Sequence, residues 1–172
     1  MNQCRVAITT KCNLKCSYCC MEYPEIQETF TKVDNMYDIF EYKNYDVFAV
    51  TGGEPTLYPK LLQDVMSDIK MNTNARIHLW TNGIKPYPEF VIANREIIDG
   101  INISVHEGSW NYTRWTQLHE IMPIRLHVWD GLSNSRLREF CKTQNILLKE
   151  WKMDECDIDE NRFLLEGKDG TI

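Results

Sequence analysis

Short apolar runs alternate with longer amphipathic stretches along most of the chain. Residues 5–10, 46–51, 76–81, 101–106, 124–129 and 146–151 are six such runs, and each reads as a strand. Helical spacing of apolar positions fills the gaps at 29–43, 59–71, 87–98, 111–120 and 133–143, with Ser133 or Asn134 available to cap the last. A β-α unit repeated in this way predicts parallel strands joined by right-handed crossovers. The expected fold class is α/β, a partial (β/α)6 TIM-like barrel occupying residues 1–152. Alternation within the strands adds a second message. Ile101, Ile103 and Val105 share one face and Asn102, Ser104 and His106 the other; Ile124, Leu126 and Val128 oppose Arg125, His127 and Trp129; Ile77 and Leu79 oppose His78 and Trp80. Helices cover the apolar face, so the polar face points inward. Closed eight-stranded barrels fill their interiors with branched apolar side chains. A polar interior within six strands predicts instead a wide, wet and laterally open cavity.

Residues 153–172 break the pattern. They carry seven acidic residues against two basic ones and end in a turn-like Gly167-Lys168-Asp169-Gly170, so they read as a short acidic appendage, with Phe163-Leu164-Leu165 able to dock on the core. The formal charge of -6 is concentrated there, because the first 152 residues hold 17 basic and 18 acidic groups. A nearly neutral core argues against bulk binding of nucleic-acid phosphates; a nucleic-acid base at the barrel mouth stays possible but is not indicated. The length of 172 residues suits one domain, and 43% hydrophobic residues suffice for a core. No run approaches the roughly 18 apolar residues of a membrane span. The opening Met1-Asn2-Gln3-Cys4-Arg5 has no apolar stretch that would serve as a secretion signal, so a cytoplasmic protein without a membrane partner is expected.

The candidate chemistry lies in the cysteines. Five of the seven fall within residues 4–20, which is not the distribution of a disulfide scaffold. Cys12, Cys16 and Cys19 form a C-x3-C-x2-C array on the loop after the first strand. Thiolate sulfur favours iron-sulfur clusters or zinc. Zinc would need a fourth ligand from elsewhere to close its tetrahedron, whereas a four-iron cluster on three cysteines leaves one iron open to a small molecule. Cys4, Cys20, Cys141 and Cys156 read as small buried residues.

The array, with aromatic Tyr18 before its last Cys, resembles the cluster motif of the radical S-adenosylmethionine (SAM) superfamily. Thr51-Gly52-Gly53-Glu54-Pro55 after the second predicted strand matches that family's second hallmark, and Thr81-Asn82-Gly83 and Ser104-Val105-His106 stand where it places further cofactor contacts. The resemblance covers residues 4–152 and implies a minimal single-domain core with one 4Fe-4S cluster on Cys12, Cys16 and Cys19. It further implies SAM bound by Tyr18, Gly52, Gly53, Glu54, Asn82, Ser104 and His106, with Glu54 near the cofactor's amino group. The implied chemistry is reductive cleavage of SAM to a 5'-deoxyadenosyl radical that abstracts hydrogen from a substrate, with an electron donor such as flavodoxin or ferredoxin as partner. The chain departs from the family on residues 124–131, where no glycine interrupts the strand; Tyr18, or in its place Val128 or Trp129, would then support the adenine.

His78, His106, His127, Arg125 and Lys149 would make the cavity basic, which suits an anionic small-molecule or nucleoside-type substrate. Two other functions compete: a small activase that places a glycyl radical on a partner protein, and a zinc-binding structural or interaction module.

Overall fold

In the computed structural model the described residues are 2–40, 44–84, 88–107, 110–152 and 160–166. Their strands are β1 (Gln3–Ala7), β2 (Thr31–Val33), β3 (Val47–Thr51), β4 (Arg76–Thr81), β5 (Gly100–Val105), β6 (Ile124–Trp129), β7 (Leu147–Trp151) and β8 (Asn161–Leu165). Helices α1 (Pro24–Gln27), α2 (Tyr37–Phe40), α3 (Pro59–Asn72), α4 (Pro88–Ala93), α5 (Tyr112–Ile121) and α6 (Ser135–Gln144) lie between them. The strands form one parallel sheet in the order β2-β8-β1-β3-β4-β5-β6-β7, an α/β fold of the partial TIM-barrel kind.

The six strands expected from the pattern are present, neighbours in the expected order. The count is corrected to eight. Among the described residues of the stretch 29–43, expected to be helical, 31–33 are β2 and 37–40 are helix, and among those of the predicted helix 87–98, 88–93 are helical. The expected appendage contributes β8, whose residues Cys4↔Asn161 to Ala7↔Leu164 pair parallel with β1 and which is the strand neighbour of β2. The sheet therefore runs past residue 152; residues 153–159 and 167–172 of the expected appendage lie outside the described ones.

Local chemistry explains the helices. In α3, Leu62, Val65, Met66 and Ile69 recur at helical spacing and are buried, after Pro59 in the first turn, where its missing N–H costs nothing. Asn111 and Asn134 cap α5 and α6 by accepting from Arg114 N and Leu137 N. These helices cover the apolar strand faces, so Phe48, Val50, Ile77, Leu79, Ile101, Ile103, Leu126 and Val128 join one core with Trp115 and Leu137. Each large aliphatic side chain buried there contributes roughly 1.5–3 kcal/mol relative to exposure. The edge strand β7 leaves Lys149 and Glu150 exposed, charges that discourage pairing with a second sheet.

Candidate functional site

The polar strand faces and the loop after β1 enclose a cavity of about 660 Å³. Cys12, Cys16, Tyr18, Cys19, Gly52, Gly53, Asn82, Ser104 and His106 all border it, so nine of the ten residues singled out from sequence are brought together. Glu54 is the exception. Its side chain lies behind the wall, buried, and accepts hydrogen bonds from Thr56 N (3.1 Å), Thr56 Oγ1 (2.5 Å), Thr81 Oγ1 (2.8 Å) and Asn82 N (2.6 Å). A carboxylate with four donors has little acceptor capacity left for a cofactor amino group. Glu54 instead ties the end of β3 to the end of β4, and burial pushes its pKa up in spite of those donors.

The glycine pair docks the same corner onto the cysteine loop. Gly53 N donates to Thr9 O and Glu54 N to Lys11 O, both at 2.8 Å. A Cβ on Gly52, at φ +148, would run into the carbonyl oxygen of Thr9, and one on Gly53 into that of Lys11. Only glycine allows β3 to come so close to the chain that enters Cys12.

The three sulfurs have donors of their own. Cys12 Sγ accepts from Leu14 N at 3.4 Å and lies 4.0 Å from Asn82 Nδ2, which donates to Asn13 Oδ1 at 2.7 Å. His106 Nδ1 is 3.2 Å from Cys16 Sγ, and Cys19 takes backbone hydrogen bonds from Met21 and Glu22. Burial and the neighbouring sulfurs of Cys19 and Cys12 push the Cys16 thiol up to about 11, and burial raises Cys19 as well. Two buried thiols held in their neutral form beside a third sulfur ask for a cationic centre to share. Among the described residues no group of three or more His, Cys, Asp or Glu side chains converges closely enough to hold a single metal ion. Three cysteine sulfurs bordering one cavity are a donor set that a thiolate-held iron-sulfur cluster takes.

Tyr18 anchors an aromatic stack beside the cysteines. Its ring lies on Trp129 (4.7 Å between centroids, 24° between planes) and on His106 (5.6 Å, 15°), and its hydroxyl accepts Glu107 N at 3.3 Å. The expected adenine contact from Val128 is corrected, since that side chain points into the helix-side core.

The basic lining expected from sequence is also redistributed. His78 and Arg125 border a separate hollow of about 270 Å³, with Asp99, around the starts of β4 to β7. His127 does line the main cavity, yet burial and the charges of Arg125, Lys149 and Arg5 lower it to about 3, so it is neutral. The cations facing the cavity are Arg5, Lys32, Lys149 and Arg162, against the carboxylates Glu22 and Glu160 among the described lining residues. Glu160 is the hub: it pairs with Arg5, lies 3.7 Å from Arg162 and accepts Gln3 Nε2 at 2.6 Å. Arg162 also donates to Thr29 Oγ1 at 2.8 Å, and the Arg5 guanidinium lies 4.7 Å over the Trp80 ring, which packs against His127. Sequence reasoning missed Arg5, Glu160 and Arg162. The signal for Arg5 was a charge at an inward position of β1; for the others it was strand-like alternation in Asn161–Leu165.

Two of the remaining cysteines, Cys4 and Cys141, are buried as expected, whereas Cys20 is disulfide-bonded and Cys156 lies outside the described residues. Among the described residues no helix is long and apolar enough to cross a membrane.

Comparison with known proteins places these features. A family model described as the radical SAM superfamily matches residues 6–131. The probable GTP 3',8-cyclase of Thermoplasma volcanium is 30% identical over 106 residues, which is 59% of this chain and 32% of that protein. The GTP 3',8-cyclase of Trichormus variabilis is 26% identical over 149 residues, 74% of this chain and 42% of that one. The chain thus spans well under half the length of these curated relatives. Among solved structures, native anSMEcpe with bound AdoMet and a Cp18Cys peptide superposes with a TM-score of 0.60 at 15% identity, over 88% of this chain and 50% of that one. BtrN in complex with AdoMet and 2-DOIA gives 0.55 at 16% identity, over 88% and 70% of the two chains. At such identities these two likenesses speak to the fold.

Proposed function

Since the chain belongs to the radical SAM superfamily, an enzyme family whose structures bind SAM and a 4Fe-4S cluster, we propose that it abstracts hydrogen from an anionic, nucleotide-type small molecule held in this cavity. The observation that carries the reading is the pairing, in one cavity, of three cysteine thiols with four cationic side chains along the walls. Cys12, Cys16 and Cys19 would hold the cluster, which when bound supplies the electron that cleaves SAM into methionine and a 5'-deoxyadenosyl fragment. The protein's own part is positioning. The glycine pair and Glu54 fix the cysteine loop against the sheet, Tyr18 offers a flat face beside it, and Asn82 and Ser104 line the wall with neutral hydrogen-bonding groups. Those neutral groups suit a zwitterionic and ribose-bearing cofactor. Arg5 and Lys149 flank neutral His127 farther along the wall and suit a phosphate or carboxylate.

The relatives' name makes GTP the first compound to try. Reconstituted, reduced protein incubated with SAM should form 5'-deoxyadenosine and methionine, and an intact cluster that forms neither would end the proposal. GTP, guanosine and small carboxylates should then compete for the cavity, with Lys149→Ala weakening the phosphorylated or carboxylated ligands about tenfold and guanosine hardly at all. Equal affinity for guanosine and GTP would remove the anionic part of the reading.

A further inference from the structure

Among the described contacts, Cys12 and Cys19 have backbone donors at their sulfurs, Leu14 N for the first and Met21 and Glu22 for the second. No single substitution deletes a backbone N–H short of proline. Cys16 differs: its described partner is a side chain, the His106 imidazole, with Nδ1 3.2 Å from Sγ. That ring is fixed from two directions. Tyr18 stacks on it at 5.6 Å and 15°, and the backbone N–H of the next residue, Glu107, donates to the Tyr18 hydroxyl. Tyr18 is itself backed by Trp129 at 4.7 Å. A ligating thiolate only accepts hydrogen bonds, so the imidazole facing it presents N–H at Nδ1.

We propose that His106 is a tuning residue of the cluster: its N–H···S bond to Cys16 raises the cluster's reduction potential, rather than His106 serving as a contact to SAM. The physical ground is simple. Reduction adds negative charge to the cluster and its thiolates, and an N–H dipole aimed at a sulfur stabilises the more negative state. The Tyr18 ring covers one face of His106 and shields that side of the dipole from solvent. The inference rests on the cluster reading above and adds to it a residue that sets how readily the electron arrives.

The test is an EPR-monitored redox titration of anaerobically reconstituted protein, without SAM, on wild type, His106→Phe and His106→Asn. All three should bind about four irons. The Phe variant should show a more negative midpoint potential, and the Asn variant, whose amide N–H reaches toward the same sulfur, should recover at least half of the loss. An unchanged potential in His106→Phe on a full cluster overturns the inference. Should the Phe variant hold no cluster, wild-type protein labelled with 15N-histidine decides: the reduced cluster should show a histidine nitrogen coupling in pulsed EPR, and its absence overturns the inference. A wild-type chain that binds no iron would overturn the functional reading first, an outcome distinct from an unchanged potential.

Discussion

The two flanks of the cavity are built by different means. On the β3–β5 side, directional hydrogen bonds from backbone and hydroxyl donors do the holding: Thr56, Thr81 and Asn82 to the Glu54 carboxylate, Gly53 N to Thr9 O, Glu54 N to Lys11 O, and His106 beside Cys16. On the β1–β8–β2 side charge meets charge, with Arg5, Glu160 and Arg162 converging across a parallel strand pair. Hydrogen bonds of the first kind depend on direction and fix a loop to a fraction of an ångström. Charges of the second kind act over longer distances and tolerate an occupant of variable shape. In the proposed function the first flank would hold the cofactor and the second the substrate.

That contrast can be broken, beginning with the largest effect. Cys16→Ala should abolish both cluster and SAM cleavage, measured by iron content and 5'-deoxyadenosine, because two thiols remain where three are needed. Glu54→Ala comes next: it strips a shared acceptor from four buried donors and should cost on the order of 3 kcal/mol in urea unfolding. It should also lower cluster loading through the slackened cysteine loop. Glu160→Gln leaves Arg5 and Arg162 without their shared carboxylate, a loss of about 2 kcal/mol. If the flanks are separate, SAM binding in Glu160→Gln stays within about twofold of wild type; a large change would merge them.

The smallest effect concerns pH. His127 titrates near 3 in the folded chain against about 6.5 when unfolded, so on acidification the unfolded state takes up a proton that the native state refuses. Stability is therefore lost as pH falls below about 6.5. Between pH 7.5 and 5.5 wild type should lose roughly 1 kcal/mol more than His127→Asn, measured as urea midpoints of the protein without cluster. Parallel curves would show that His127 is not the group responsible.

The cofactor flank was the legible one, and the reason is local. A cysteine array and a Gly-Gly pair must be nearly contiguous to fold one loop around one centre, so Cys12, Cys16, Cys19, Gly52 and Gly53 could be picked out in order. Glu54 was recognised but its task was not, because its partners Thr81 and Asn82 stand 27 and 28 residues away and only the sheet brings them together. The substrate flank depends on pairing over far greater separations: Arg5 and Glu160 are 155 residues apart. There, composition misled. The acids around Asn161–Leu165 made a buried strand read as an appendage, and the three residues of β2 were too few to interrupt a helical pattern over 29–43.

The place of β8 between β1 and β2 also has a consequence in time. During synthesis β1 and β3 can pair, and the cysteine loop can lie against the glycine corner, long before residue 160 is made. β2 has no strand neighbour other than β8 among the described residues, so Lys32 and Arg162 take up their posts together and late. A nascent chain can thus shape the proposed seat of its cluster while the proposed substrate wall is still missing.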